Sequence, residues 1–201
     1  MISLQRRRQI HNQCFYHRCL TILEIKLNPH ITNQDHATRK QNIVCIVGQQ
    51  EGFLNLSYRG TGNFADTLWE KHAKNPGFRD LLWEDTVFEA FIQPWGMQEY
   101  EEWNFSPTGN WAHYHFSAYR KGRKKLAKTQ PPAINCILEP SKFGFQVDVR
   151  IQRKKEPAAI GICAVIKDKN SNQTYWAIRH SYKAPDFHHQ ESFGATLNTG
   201  I

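Results

Sequence analysis

Apolar and polar residues alternate along several short segments, which is the period-two pattern of strands with one buried face. Near the start, Leu23, Ile25 and Leu27 alternate with Glu24 and Lys26, so a strand is predicted over residues 21–27. The same alternation, or a continuous apolar run, predicts further strands over residues 43–47, 54–58, 83–92, 100–105, 111–119, 143–151, 160–166 and 175–178.

Segments rich in Gly, Pro and Asn separate these predicted strands, as expected for turns. The pattern predicts one short helix, over residues 66–74. Many short strands with almost no helical period predict an all-β fold, an antiparallel β-sandwich. The length of 201 residues suits a single domain. Residues 1–20 are basic and lack a period, so we interpret them as a flexible extension of a domain that spans residues 21–201.

Basic residues give the chain a net charge of +8 and cluster at residues 6–8, 120–128 and 153–155. No nucleic-acid-binding motif accompanies these clusters, so we interpret them as solvated loops and do not expect a nucleic-acid partner. No stretch approaches the roughly 20 apolar residues that span a bilayer, so no membrane association is expected. The five Cys are scattered and odd in number. Together with the lack of a secretory signal, this predicts a cytoplasmic protein.

The most unusual segment lies between residues 81 and 120, where aromatic and acidic residues are concentrated. On a strand, alternate residues share a face, so the segment 83–92 has two faces of different composition. One face is apolar and consists of Thr86, Phe88, Ala90 and Ile92. The other face mixes rings, carboxylates and a Val, and consists of Trp83, Asp85, Val87, Glu89 and Phe91.

The next predicted strand repeats this division, because Tyr100, Glu102 and Asn104 share the face opposite to Trp103 and Phe105. Carboxylates and amides hydrogen-bond sugar hydroxyls, and an aromatic ring covers the apolar side of a sugar ring. The mixed face therefore suits a hydroxyl-rich ligand. An interior whose polar groups bond to one another is the alternative, and the sequence does not choose between the two.

Paired carboxylates also suggest glycoside hydrolysis, for which Glu89 and Glu102 would be the candidate acid and base. The sequence contains no nucleophile elbow, phosphate loop or dinucleotide fingerprint. We therefore expect a binding domain without catalytic residues, and keep a glycosidase-like enzyme as an alternative.

Several ordered motifs between residues 20 and 194 resemble the DOMON-like family, which includes the family-nine carbohydrate-binding modules and related haem-binding domains. The resemblance implies a jelly-roll type of β-sandwich and ligand binding without catalysis. The segments that carry it are residues 27–30, 82–92, 102–114, 119–120, 175–178, 180, 183–188 and 192–193.

In the sugar-binding modules, two Trp sandwich a terminal sugar, and a Glu six residues after the first Trp binds hydroxyls. Trp83 and Glu89 have this spacing, and Trp176 is a candidate for the second Trp. The chain departs from the family at Val87, where a Cys often stands, which argues against a thiol role there. The predicted ligand-binding residues are Trp83, Glu89, Tyr100, Glu102, Asn104, Trp111, Arg120 and Trp176.

The haem branch of the resemblance requires axial ligands, usually Met or His. Met97 lies beside a predicted turn, which leaves the histidines as candidates. A divalent cation in the segment 186–189 is a further alternative. For the carbohydrate hypothesis we expect no cofactor and no metal ligand, and the sequence leaves the oligomeric state open. The candidate histidines are His113, His115, His180, His188 and His189.

Overall fold

Antiparallel strands make up most of the computed structural model, which describes residues 21–33, 40–50, 52–139, 144–154, 156–181 and 183–198. The extension predicted at residues 1–20 lies outside these described residues. Short 3-10 helices occur at Ile31–Asn33, Leu82–Glu84 and Gln190–Ser192. The strands are β1 (Thr21–Pro29), β2 (Gln41–Gln50), β3 (Phe53–Gly62), β4 (Val87–Pro94), β5 (Tyr100–Phe105), β6 (Trp111–Phe116), β7 (Lys124–Lys125), β8 (Ala133–Glu139), β9 (Gly144–Gln152), β10 (Ala158–Lys167), β11 (Gln173–Ala177) and β12 (Ala195–Leu197).

The strands form one continuous antiparallel sheet that curls into a half-barrel, in the order β7-β6-β5-β4-β10-β11-β1-β2-β3-β9-β8, and β12 also pairs with β10. Strand β1 joins two parts of this sheet. Residues 21–27 of β1 pair with β2, whereas Asn28 and Pro29 pair with β11. We call strands β1, β2, β3, β9 and β8 the β3 half, and strands β7, β6, β5, β4, β10 and β11 the β4 half. The all-β prediction is confirmed, while the sandwich and jelly-roll description stays a prediction.

Alternate residues of both halves meet in a shared apolar core. On the β3 half, the predicted alternation holds, because Leu54, Leu56 and Tyr58 are all buried. Phe88 of the β4 half contacts Tyr58 with ring centroids 5.0 Å apart. The Tyr58 hydroxyl crosses the core and donates a 2.8 Å hydrogen bond to the main-chain oxygen of Glu89. This contact fixes the position of β4 relative to the opposite half.

Several details of the predicted elements are wrong, and β7 and β12 were not predicted. Residues 66–74 do not form a helix, because Leu68 N–H bonds to the Lys167 carbonyl and Thr67 bridges to Asp168, which holds the segment beside the β10–β11 turn. Strand β4 begins at Val87 rather than at residue 83, because Leu82–Glu84 form a 3-10 turn. Strand β8 was not predicted, since its largely exposed residues show no sustained apolar alternation.

Candidate functional site

A cavity of about 510 Å³ opens on the face of the β4 half that points away from the shared core. Side chains from β4, β5, β6, β10 and β11 contribute to it. The remaining lining residues come from three segments between the strands, within residues 82–84, 120–123 and 185–188. The apolar and aromatic part of the lining consists of Trp83, Phe91, Phe116, Val165, Tyr175, Pro185 and Phe187.

Two glutamates on neighbouring strands place carboxyl groups in this cavity. Glu89 of β4 lies opposite Asn104 of β5, and Glu102 lies opposite Phe91, so the two glutamates are diagonal neighbours. In antiparallel sheets such diagonal positions are roughly 7–8 Å apart, with their Cβ atoms somewhat closer, so their side chains can reach the same cavity. Both residues are almost completely buried, at 3% exposure for Glu89 and 4% for Glu102. Two strand positions are therefore occupied by acidic residues that face an open cavity instead of packed side chains.

The two carboxyl groups differ in their hydrogen bonds. Glu102 Oε1 accepts a 2.7 Å hydrogen bond from Asn104 Nδ2, which fixes the Glu102 side chain. The Glu89 carboxyl makes no hydrogen bond within the described part of the chain. Buried polar groups in proteins nearly always have a partner, so a carboxyl group without one in a cavity is a candidate ligand contact.

Burial raises the pKa of both carboxyl groups. The pKa of Glu89 lies well above its ordinary value because of desolvation, with a further increase from the charge of Glu102. Desolvation raises the pKa of Glu102 to about 7, against the opposing effects of Asn104, Arg123 and Arg120. Protonated carboxyl groups can both donate and accept hydrogen bonds, which matches the hydroxyl groups of a neutral ligand.

His188 closes one side of the cavity beside Glu102. Its Nδ1 is 2.8 Å from the Tyr100 hydroxyl, and its Nε2 is 3.7 Å from Glu102 Oε2. Burial, and then the charge of Arg120, lowers the pKa of His188 to about 4, so the imidazole is neutral near pH 7. The Tyr100 hydroxyl also accepts a 3.2 Å hydrogen bond from the Arg120 main-chain N–H. Tyr100 thus holds His188 and the 120 loop together.

Trp83 and two arginines lie at the more exposed part of the cavity. Trp83 follows Leu81, whose positive φ of 62° turns the chain before the 3-10 helix. The Trp83 ring packs near Tyr114, with centroids 6.0 Å apart. Arg120 forms a 2.7 Å ion pair with Asp186, which connects the 120 loop to the segment containing His188. The cavity wall is therefore built from loops that are tied to one another.

Of the eight residues predicted as ligand contacts, four meet in this cavity: Trp83, Glu89, Glu102 and Arg120. Two others lie directly behind these, since Tyr100 bonds to His188 and Asn104 bonds to Glu102. These two hold cavity residues in position but do not line the cavity.

The remaining two predicted contacts, Trp111 and Trp176, lie in the shared core and do not reach the cavity. Trp111 is 3% exposed and packs against Phe78, while Trp176 is 1% exposed. The reason is strand parity, because neighbouring residues point to opposite faces. On β11, Tyr175 faces the cavity and Trp176, one residue later, faces the core. The expectation that Trp176 supplies a second stacking ring in this cavity is therefore wrong.

Sequence reasoning missed several residues of the lining. Arg123 was noted only as part of a charge cluster, and His188 only as a haem or metal candidate. The alternation on β6 and β11 could have predicted two of them, since Phe116 and Tyr175 lie at the alternate strand positions that face the cavity. No local pattern marked Phe187, because it lies in a loop.

The histidines considered as metal or haem ligands do not converge. His113 stacks on Trp103 at 3.7 Å and lies 3.2 Å from Glu101, so it serves a contact between β5 and β6. His188 is the histidine that lines the cavity. Within the described ranges, no group of three or more His, Cys, Asp or Glu side chains could hold a metal ion. Met97 is 54% exposed and lies outside the cavity lining.

A second cavity, of about 430 Å³, adjoins the first one at His188, which lines both. Amide and ring side chains border this second cavity, among them Gln93, Gln98, Tyr119 and His189. Gln93 is fixed by a 3.1 Å hydrogen bond from the side chain of Gln190. The imidazole that contacts Glu102 is thus accessible from two sides.

The fold is similar to that of a solved structure, the "putative carbohydrate-binding protein" of Bacteroides uniformis ATCC 8492. The TM-score is 0.54 at 14% sequence identity, and the alignment covers 83% of this chain and 84% of the other. At this identity the likeness concerns the fold alone. No protein-family model and no curated protein matches the chain. Among the described residues, no helix has the length and apolar character needed to cross a membrane.

Proposed function

We propose that this protein is a non-catalytic carbohydrate-binding domain that holds a sugar in the cavity of the β4 half. The observation that carries the proposal is the meeting of Trp83, Glu89 and Glu102 in one open volume. Trp83 offers an aromatic surface for the apolar side of a sugar ring, and the carboxyl groups offer hydrogen bonds to its hydroxyls. The similar fold of a protein described as carbohydrate-binding gives weak additional support.

The finer assignments belong to the same proposal. They are membership of the DOMON-like family, a jelly-roll β-sandwich, a cytoplasmic location and the absence of catalysis. The raised pKa values of Glu89 and Glu102 favour protonated carboxyl groups, which can donate hydrogen bonds to the hydroxyls of a neutral sugar as well as accept them.

Glycoside hydrolysis is the second candidate, and the diagonal placement of Glu89 and Glu102 favours it. Inverting glycosidases likewise place two carboxyl groups in one cavity, with a water molecule between them. Chromogenic glycosides test this candidate. Release of the chromophore by the wild type, lost in Glu89→Gln and Glu102→Gln, would replace the binding proposal with an enzymatic one.

Calorimetric titration with a panel of mono- and disaccharides tests the binding proposal. We expect at least one sugar to bind, and Trp83→Ala to weaken its binding about tenfold through the loss of ring contact. Glu89→Gln keeps the shape of the side chain and should also weaken binding. Trp95→Ala is the matched control, because Trp95 is 65% exposed and lies outside the cavity. If no sugar of the panel gave a heat of binding, or if Trp83→Ala and Trp95→Ala weakened binding equally, the proposal would be overturned.

A further inference from the structure

Arg123 differs from the other cations around the cavity, because no acidic side chain of the described residues forms an ion pair with it. Its guanidinium forms no ion pair and no hydrogen bond within the described part of the chain. By contrast, Arg120 pairs with Asp186 at 2.7 Å, and Lys167 pairs with Asp85 at 2.9 Å. Arg123 nevertheless belongs to the cavity lining. A cation that lines a cavity with its hydrogen-bond donors unused is available to a ligand.

Two aromatic rings restrict where the Arg123 guanidinium lies. Its Cζ atom is 5.4 Å from the ring centroid of Tyr114 and 5.8 Å from that of Trp83. These distances fall within the range of cation–π attraction, which reaches about 6 Å. The Cζ atom is farther from the Trp83 centroid than the roughly 3.5–4.0 Å of direct van der Waals contact, so the guanidinium is near the Trp83 ring without being stacked tightly on it. Trp83 and Arg123 are therefore close enough for one ligand to contact both side chains.

The charges around the cavity leave Arg123 with little internal compensation. Arg120 is neutralised by Asp186. Glu89 and Glu102 are buried, which favours their neutral forms. Glu84 also lines the cavity, and its negative charge opposes the binding of an anion. It is exposed to solvent, however, which screens this charge. An anion next to Arg123 would thus meet a cation that forms no ion pair within the described residues, beside two buried carboxyl groups whose pKa values are raised.

We propose that the ligand of this cavity is an acidic sugar, whose carboxylate or phosphate group binds Arg123 while its ring lies against Trp83. A guanidinium presents parallel N–H groups that match the two oxygens of a carboxylate or phosphate. Glu89 and Glu102 then bind the hydroxyls at the other end of the ring. The inference rests on the proposed carbohydrate function and adds the charge of the ligand to it.

Calorimetric titration with four sugars of one scaffold tests this inference: glucose, glucuronate, glucose 1-phosphate and glucosamine. We expect glucuronate or glucose 1-phosphate to bind at least about tenfold more tightly than glucose. The preferred one of the two identifies the acidic group. Arg123→Gln should weaken binding of the acidic sugar by about tenfold to a hundredfold, as expected for hydrogen bonds to a charged group. Its effect on glucose should stay below about twofold.

Lys121→Gln is the matched control, since it removes the same charge from the same loop at a residue outside the cavity lining. Binding of the acidic sugar should change less than about twofold in this variant. Arg123→Lys keeps the charge but loses the planar donor pair, so its affinity should lie between those of the wild type and Arg123→Gln. Equal losses in Arg123→Gln and Lys121→Gln would show a diffuse charge effect and overturn the inference.

The remaining outcomes separate this inference from the function on which it rests. Equal binding of glucose and the acidic sugars, unaffected by Arg123→Gln, would overturn the acidic ligand but support carbohydrate binding. Tighter binding of glucosamine than of the acidic sugars would mean that the site prefers a cationic ligand, which would pair with Glu84. This result would also overturn the inference. If inorganic phosphate bound as tightly as glucose 1-phosphate while glucose and glucuronate were silent, both proposals would fail. Silence of every sugar would also overturn both.

Discussion

The two faces of strands β4 and β5 are equally buried but differ in chemistry. On the core face, Phe88 and Trp103 pack against apolar residues of both halves. On the cavity face, Glu89 and Glu102 take the equivalent positions, at 3% and 4% exposure. Burial of acids without ion-pair partners costs stability, whereas burial of rings provides it. The difference indicates that the core face holds the fold together and that the cavity face is kept for a ligand.

The comparison also separates the tryptophans by role. Trp103, Trp111 and Trp176 belong to the core cluster, whereas Trp83 is only partly buried and lines the cavity. Residue type alone does not distinguish them. What distinguishes them is position, because the three core tryptophans point from their strands into the shared core, whereas Trp83 reaches the cavity from the 3-10 helix Leu82–Glu84.

The largest expected effect is on the core face. Phe88→Ala should lower the free energy of unfolding by about 3–5 kcal/mol, because it opens a cavity between the two halves. Chemical denaturation followed by circular dichroism measures the change. A loss below about 1 kcal/mol would show that the two halves do not share a core.

On the cavity face, we expect the opposite sign. Glu89→Met removes a carboxyl group that makes no hydrogen bond within the described residues, and it should raise the free energy of unfolding by about 1–3 kcal/mol at pH 6. Sugar binding should be lost in the same variant. Glu89→Gln serves as the control, because it keeps a polar group there and should gain little. Destabilisation by Glu89→Met would mean that Glu89 holds the fold together.

The raised pKa of Glu102, about 7, predicts how stability depends on pH. At pH 6.5 the folded protein retains a proton on Glu102 that the unfolded chain has already lost. This stabilisation is therefore lost as pH rises through the folded-state pKa. Between pH 6.5 and 8, the free energy of unfolding should fall roughly 1 kcal/mol more in the wild type than in Glu102→Gln.

Urea denaturation at several pH values measures this difference. Glu24→Gln is the control, since Glu24 is exposed on β1, and it should follow the wild type. Parallel pH profiles for the wild type and Glu102→Gln would contradict the raised pKa of Glu102.

The smallest effect is expected for Arg123. Because it is exposed and contacts two rings near the limit of cation–π attraction, Arg123→Gln should change the free energy of unfolding by only about 0.5 kcal/mol. Thermal denaturation measures this change in the free energy of unfolding. A small change means that any loss of acidic-sugar binding in Arg123→Gln arises from a lost contact in the cavity. A loss of several kcal/mol would instead assign Arg123 to the structure of the fold.

Strand alternation made most of the β4 half predictable. The sequence places Phe88 and Ile92 on one face and Glu89 and Phe91 on the other, and the structure has the same division. Sequence patterns fail where backbone hydrogen bonds to another segment decide the structure. Residues 66–74 have helical composition, but their backbone bonds to the β10–β11 turn instead, and β8 pairs with β9 despite being largely exposed.

The sequence by itself determined the all-β class and the two faces of β4 and β5, with Glu89 and Glu102 on the mixed face. Only the tertiary structure decided that this face borders an open cavity, and that Trp111 and Trp176 belong to the core. It also brought Arg123, Tyr175 and His188 to Glu102 from distant parts of the chain. The physical reason is that side-chain direction follows from local strand geometry, whereas a cavity depends on contacts between segments far apart in sequence.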